Sequence, residues 1–178
     1  MMVKKSFDVR FATPAFLGNA EQAGQWRAPP FKALLRQWWR IAMAPQYNYD
    51  YSILRESEGK LFGNAWLKKA DGGIDASRSM VRIRLDDWKP GSLSKWLVKD
   101  PRLSEIKNPV GAHLYLGYGP LNNEKGKGTI LKMNASIQEG DYARLTLIFP
   151  EEKRNEMEST LRLIQRFGTL GGRSRNGW

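Results

Sequence analysis

The 178-residue sequence has no cysteine and one histidine, His113. The first absence excludes disulfides, thiolate metal sites and cysteine nucleophiles together. The second leaves too few ligands for a structural zinc site and obliges any serine–histidine apparatus to use that one imidazole. Asp86 and Asp87 are adjacent acids at a strand end. Neighbours in a strand point to opposite faces, so the pair reads as solvated surface rather than an ion site. Neither a metal nor a cofactor is expected. Long apolar runs are missing too: nothing approaches the ~20 residues of a membrane span, and residues 1–6 lack a signal-peptide core. The expectation is a soluble, cytoplasmic protein with no membrane partner and no small-molecule substrate. There is no Gly-x-Ser-x-Gly, and Lys127-Gly128-Thr129 lacks the glycine spacing and Gly-Lys-Ser/Thr order of a phosphate loop. Binding is therefore better supported than catalysis, and no catalytic residue is assigned.

Acids are scarce where bases gather. The net charge is +11. Residues 1–40 carry seven Lys/Arg against two acids and residues 161–178 carry four against none, so nine of the eleven excess charges sit at the two ends. Arginine clustered in this way, with a pI near 10.0, points to a polyanion, most often nucleic acid.

Residues 3–11 alternate, with Val3, Lys5, Phe7, Val9 and Phe11 on one side, which predicts a half-buried first strand. Pro29-Pro30 opens a helix to about Met43, where Pro45 stops it. At ~100° per residue, Phe31, Leu34, Leu35, Trp38, Ile41 and Ala42 are expected on its core face. Lys32, Arg36 and Arg40 follow one another at i, i+4 on the other face, with no acid on the helix to neutralise them. Such a stripe is mildly unfavourable without an anionic partner. Trp39, at the border of the two faces, is open to packing, to base stacking or to a partner protein. A second helix over residues 51–62 ends at Gly63. Residues 68–77 read as an exposed loop, and residues 81–86 as a strand whose Arg82 and Arg84 either track phosphates or face water.

From Lys89 to Pro109 the chain reads as an insertion with an isolated Trp96. Residues 113–116 read as a short apolar strand, residues 122–128 as a loop, and residues 131–149 as a hairpin turning at Glu139-Gly140-Asp141. Pro150 starts a last helix, with acids at its head and Arg162 and Arg166 at its tail. A glycine-rich basic loop, residues 167–178, follows it. Glycine lets another backbone approach closely, and Arg173 and Arg175 put two permanent charges on that path.

This order predicts an α+β, ferredoxin-like (RRM-like) βαββαβ domain over residues 1–178, with an insertion over about 64–128. Either the strand at 80–86 or the one near 113 serves as the second core strand. The final strand is expected to be missing after Trp178, as in a fragment. Recognition modules of this fold read single-stranded RNA on the sheet face, but the aromatic Gly-Phe-x-Phe pattern is absent here. The first helix and the terminal loop are better placed to hold backbone.

Residues 13–18 (Thr-Pro-Ala-Phe-Leu-Gly), the run from Arg27 to Arg40 containing Gln37-Trp38-Trp39-Arg40, Leu61-Phe62-Gly63-Asn64 and the terminal glycine loop together resemble the RAMP superfamily of CRISPR-associated proteins. The tryptophan-pair helix is similar to that of the first-numbered subunit of the Cmr (type III-B) RNA-targeting complex. The resemblance implies the amino-terminal half of a tandem of two ferredoxin-like domains. It also implies a non-catalytic role in antiviral defence, near the 3′ end of the guide RNA and on target RNA, among other Cmr subunits. Target sequence would then be read by RNA pairing while the protein holds backbone and shape. On matching positions it suggests Arg27, Lys32, Arg36, Arg40, Arg173 and Arg175 as RNA contacts, with Gly171 and Gly172 allowing close approach. Two alternatives stay open: a metal-independent RAMP endoribonuclease using His113 as acid or base, and an assembly subunit docking through Trp38, Trp39 and the tyrosines at 47–51.

Overall fold

The computed structural model describes residues 1–21, 23–68, 73–96, 111–132 and 136–172. In chain order the elements are β1 (Met2–Arg10), β2 (Ala15–Phe16), α1 (Ala28–Met43), α2 (Tyr51–Phe62), β3 (Asn64–Lys68), β4 (Ile74–Ser77), β5 (Arg82–Leu85), α3 (Ala112–Leu116), β6 (Leu121–Glu124), β7 (Gly128–Leu131), β8 (Ser136–Ile137), β9 (Tyr142–Pro150) and α4 (Arg154–Phe167). The architecture is mixed α and β with antiparallel sheets. No helix among the described residues is long and apolar enough to cross a membrane. The chain divides into two compact units: Met1–Phe7, Ala28–Asp86 and Arg144–Thr169 form the first, and the remaining segments form the second.

In the first unit, β9 lies between β1 and β5. It runs antiparallel to β5, from Arg82 opposite Ile148 to Leu85 opposite Leu145. Hydrogen bonds from Glu151 N to Met1 O and from Phe11 N to Asp141 O tie opposite ends of β1 and β9, so these two also run in opposite senses. The strand at 82–85 is thus a core strand beside β9, which answers the question the sequence left open. Burial alternates along β1 as expected, with Val3 at 6% exposure.

Helix α1 packs on α4, but its buried face is rotated from the expected one. Phe31, Leu35, Trp39 and Met43 are buried, an unbroken i, i+4 row, while Ile41 is half exposed. Trp39 rather than Trp38 enters the core because its indole N–H finds an acceptor there, Glu156 Oε2 at 3.1 Å on α4. Trp38 is half-buried and stacks on Phe167 at 6.2 Å. Asp50 caps α2, accepting from the N–H groups of Ser52 and Ile53. Beyond α2, β3 and β4 pair as a hairpin across the stretch expected to be a loop.

The second unit has its own core. Trp96, which the sequence presents as isolated, is 9% exposed and packs with Phe16 and Leu121. Trp26 is fully buried, tilted against Phe11 at 4.9 Å, and its indole donates to Asp141 Oδ2 at 3.1 Å. Asp141 also meets Lys89 Nζ at 2.7 Å. Gly24 and Gly91 bring two segments together through a 2.6 Å N–H to C=O bond.

Three expected elements are different in this unit. The 113–116 stretch is helical in α3, with Tyr115 N on Gly111 O and Gly117 N on His113 O; a short apolar run does not distinguish strand from helix by periodicity. Residues 122–128 belong to the β6–β7 hairpin, whose turn uses Gly126 at φ +85°. Among the described residues the expected 131–149 hairpin does not form: β8 pairs with β2, while β9 pairs in the three-stranded sheet. Its Gly140 turn is present at φ +82°, and Met133 to Ala135 lie outside the described residues. Local alternation specifies a strand, but its partner is chosen by which face tertiary burial requires.

Candidate nucleic-acid interface

The i, i+4 spacing that makes Lys32, Arg36 and Arg40 one stripe also places it beside the buried row of α1. On α2, Leu54, Glu58 and Phe62 follow the same spacing, with Leu61 beside them at i+3 from Glu58, and all four are buried. Glu58 is therefore a carboxylate in an apolar row, 2% exposed. Its Oε1 accepts from Arg36 Nε at 2.5 Å, and its Oε2 lies 3.5 Å from Arg40 Nη1. The stripe is thus not unrelieved, as its own helix suggests; the counter-charge comes from α2. A buried carboxylate needs such partners, since an unpaired one is strongly disfavoured.

Arg36 still faces an opening. A pocket of about 530 Å³ in the first unit is lined by Lys32, Arg36, Arg55, Asn64, Ser77 and Ser79, together with Phe62 and the glycines at 59 and 63. Among the described residues three cations line it and no acid does. Among the described residues Lys32 and Arg55 have no acid partner, and the terminal nitrogens of Arg36 meet no protein acceptor. Burial holds the Lys32 ammonium below its usual pKa, and the charge of Arg36 adds to the effect. An anion in this pocket would relieve both.

Gly63 makes the polar wall possible. Its φ is +81°, and a Cβ there would lie 2.8 Å from Ser79 N and 2.9 Å from Ser77 O. The absence of a side chain lets the end of α2 meet the 77–79 segment, where Ser77 donates to Gly59 O at 3.0 Å and accepts from Asn64 Nδ2 at 2.8 Å. On the three-stranded sheet, Arg82 and Arg84 are exposed and without acid partners among the described residues.

The sequence-derived residues thus separate. Lys32 and Arg36 meet at the pocket, while Arg40 stands next to them on Glu58. Arg27 belongs to the second unit, half-buried, with a buried Nε that finds no hydrogen-bond partner among the described residues. Gly171 and Gly172 belong to that unit as well. Gly171 has φ +121°, and Gly172 N donates to Phe16 O at 2.8 Å, so the close approach they allow here is to the chain's own β2. Arg173 and Arg175 lie outside the described residues. His113 packs edge-on against Trp96 at 5.7 Å.

Sequence reasoning missed Glu58, Arg55, Ser77 and Ser79. A signal existed for the first: Glu58 stands four residues after Leu54 and four before Phe62, inside the apolar row of α2. The others gain meaning only when α2 and the β3–β4 hairpin are brought together.

A search of curated proteins finds no match to this chain. Residues 27–178 match the RAMP superfamily, a span that runs from the residue before α1 through the glycine-rich loop. With that match over most of its length, the chain belongs to the RAMP superfamily of CRISPR-associated proteins.

Proposed function

We propose that this chain is a non-catalytic, RNA-binding part of a type III-B (Cmr) CRISPR ribonucleoprotein, holding guide RNA near its 3′ end or target RNA by its backbone. RAMP proteins generally bind RNA and act within multi-subunit CRISPR complexes, which supports the general class. The observation that carries the reading is the pocket at Lys32, Arg36 and Arg55, three cations with no acid among the described residues that line it. Phosphate is the anion a nucleic acid supplies at such a place, and arginine offers it several N–H donors in a fixed fork. The β1–β9–β5 order, with α1 and α2 between β1 and β5 in the chain and α4 after β9, supports a ferredoxin-like domain as the scaffold.

The test is binding of a labelled single-stranded RNA as a function of salt. Lys32→Gln and Arg55→Gln should each weaken binding and reduce the slope of log K against log salt by about 0.7 per lost phosphate contact. Unchanged slopes in both variants would remove the pocket from the RNA path. Incubation of labelled repeat RNA in chelator reads the catalytic question: intact RNA is expected, and cleavage lost in His113→Ala would refute the non-catalytic assignment.

A further inference from the structure

The pocket combines two chemistries, and the second narrows the ligand beyond an anion. The cations Lys32, Arg36 and Arg55 line it. Ser77 and Ser79 line it too, and their hydroxyls have committed their hydrogens: Ser79 Oγ donates to Val81 O at 2.7 Å and Ser77 Oγ donates to Gly59 O at 3.0 Å. A carbonyl can only accept, so each serine is the donor in its bond and has lone pairs alone left for a further partner. Ser77 has one of these already taken by Asn64 Nδ2. A ligand group that meets Ser79 Oγ must therefore donate, which phosphate oxygens cannot do when ionised. A sugar hydroxyl can.

We infer that the pocket takes one ribonucleoside phosphate, its phosphate held by Lys32, Arg36 and Arg55 and a ribose hydroxyl donating to Ser79 Oγ, and so distinguishes ribose from deoxyribose. This inference rests on the RNA-binding reading and deepens it. The volume of about 530 Å³ falls within the usual range of small-ligand pockets, and the 2′-hydroxyl is the group that lets a protein tell RNA from DNA. Glu58 fixes Arg36 through Nε and leaves its terminal nitrogens for the ligand, while Gly63 holds the 77–79 segment in reach. The serines are set by backbone carbonyls rather than by solvent, so their acceptor character does not depend on the ligand's arrival.

The experiment compares a labelled RNA decamer with its 2′-deoxy counterpart by fluorescence anisotropy at fixed salt, for wild type, Ser79→Ala, Ser79→Thr and Lys32→Gln. Wild type should prefer RNA. Ser79→Ala should lose about three- to tenfold in RNA affinity, the worth of one neutral hydrogen bond, with DNA affinity unchanged; Ser79→Thr, which keeps the hydroxyl, should retain the preference. Lys32→Gln should weaken both strands alike. Unlabelled 5′-AMP as competitor identifies the source: displacement at millimolar concentration assigns a free nucleotide, and its failure assigns a nucleotide within a strand. An RNA-to-DNA ratio that Ser79→Ala leaves intact, in a variant whose thermal melt shows it folded, overturns the inference while RNA binding stands. A wild type that binds no RNA even at low salt overturns the underlying reading as well.

Discussion

Removing either end of the Arg36–Glu58 pair should destabilise the first unit by unequal amounts, and the inequality is the test. Glu58 has a side chain 3% exposed, whereas Arg36 and Arg40 are 37% and 43% exposed. Glu58→Gln keeps an acceptor for Arg36 Nε but removes the charge, turning a charge-assisted bond into a neutral one and leaving two cations at i, i+4. Both arginines can recover water, so the surface discount applies and the loss should be about 1–2 kcal/mol. Arg36→Ala leaves a buried carboxylate with only Arg40, whose nitrogen is 3.5 Å away. Water reaches Glu58 poorly, so about 2–4 kcal/mol should be lost, approaching the cost of a half-broken buried pair. Arg40→Ala should cost less than about 1 kcal/mol. For a chain of this size each kcal/mol lowers the melting temperature by roughly 2–4 °C. Urea unfolding gives the three values, and the Arg36→Ala/Glu58→Gln double mutant gives the coupling. Arg36→Ala costing no more than Arg40→Ala, or additive effects in the double mutant, would refute the pairing argument. Glu58→Gln should meanwhile raise RNA affinity at low salt, because a negative charge leaves the neighbourhood of the pocket. Arg36→Glu is a poor probe of RNA binding for the same reason: it sets a second carboxylate against Glu58.

In the second unit, a Cβ at Gly91 would lie 2.0 Å from Ser136 O, a backbone atom that cannot yield cheaply. Gly91→Ala should therefore destabilise by at least about 2–3 kcal/mol, read from urea midpoints, and a neutral result would contradict the packing at that point. Burial disfavours the Asp141 carboxylate, but the Lys89 ammonium and the Trp26 indole outweigh it and hold its pKa below the usual range. Its stabilising effect is therefore complete above about pH 4 and is lost as pH falls through the lowered value. The same pair raises the Lys89 pKa, chiefly through its hydrogen bond to Asp141, so the lysine's share persists below about pH 10.4 and is lost above the raised value. Asp141→Asn should match wild type in strong acid and fall behind it at neutral pH in a pH series of melts. For Lys32 the sign reverses: its lowered pKa makes the unfolded chain bind the proton more tightly, so its unfavourable contribution fades as pH rises toward about 10.4. RNA should restore that charge, so binding calorimetry in buffers of different ionisation enthalpy should detect proton uptake at alkaline pH, absent in Lys32→Gln.

Legibility followed the range of the interaction. Helices α1 and α2 were readable from Pro29-Pro30, Pro45 and Gly63, and β1 from its alternation, because capping, proline geometry and strand period act within a few residues. The rotation of α1 was not, since Trp38 and Trp39 are equally apolar and the contacts that distinguish them, Glu156 on α4 and Phe62 on α2 for Trp39, come from elsewhere in the chain. Trp96 looked isolated because its neighbours, Phe16 and Leu121, are far away in sequence. The partner of β9 is hidden from the sequence for the same reason: a nearby alternating stretch is a good local candidate, yet β5 and β1 flank β9 instead.

The sequence by itself determined a basic, cysteine-free chain with an α1 stripe suited to a polyanion, a glycine-rich basic end and the motifs of the RAMP superfamily. Those are matters of composition and short spacing. Only the tertiary structure decided what the stripe does. It brought Glu58 across from α2 to hold Arg36 and Arg40, and it gathered Arg36, Lys32 and Arg55 at a pocket also lined by two serines with their hydrogens already given away. Charge and donor–acceptor complementarity depend on which atoms meet in space, and no periodicity along the chain carries that information.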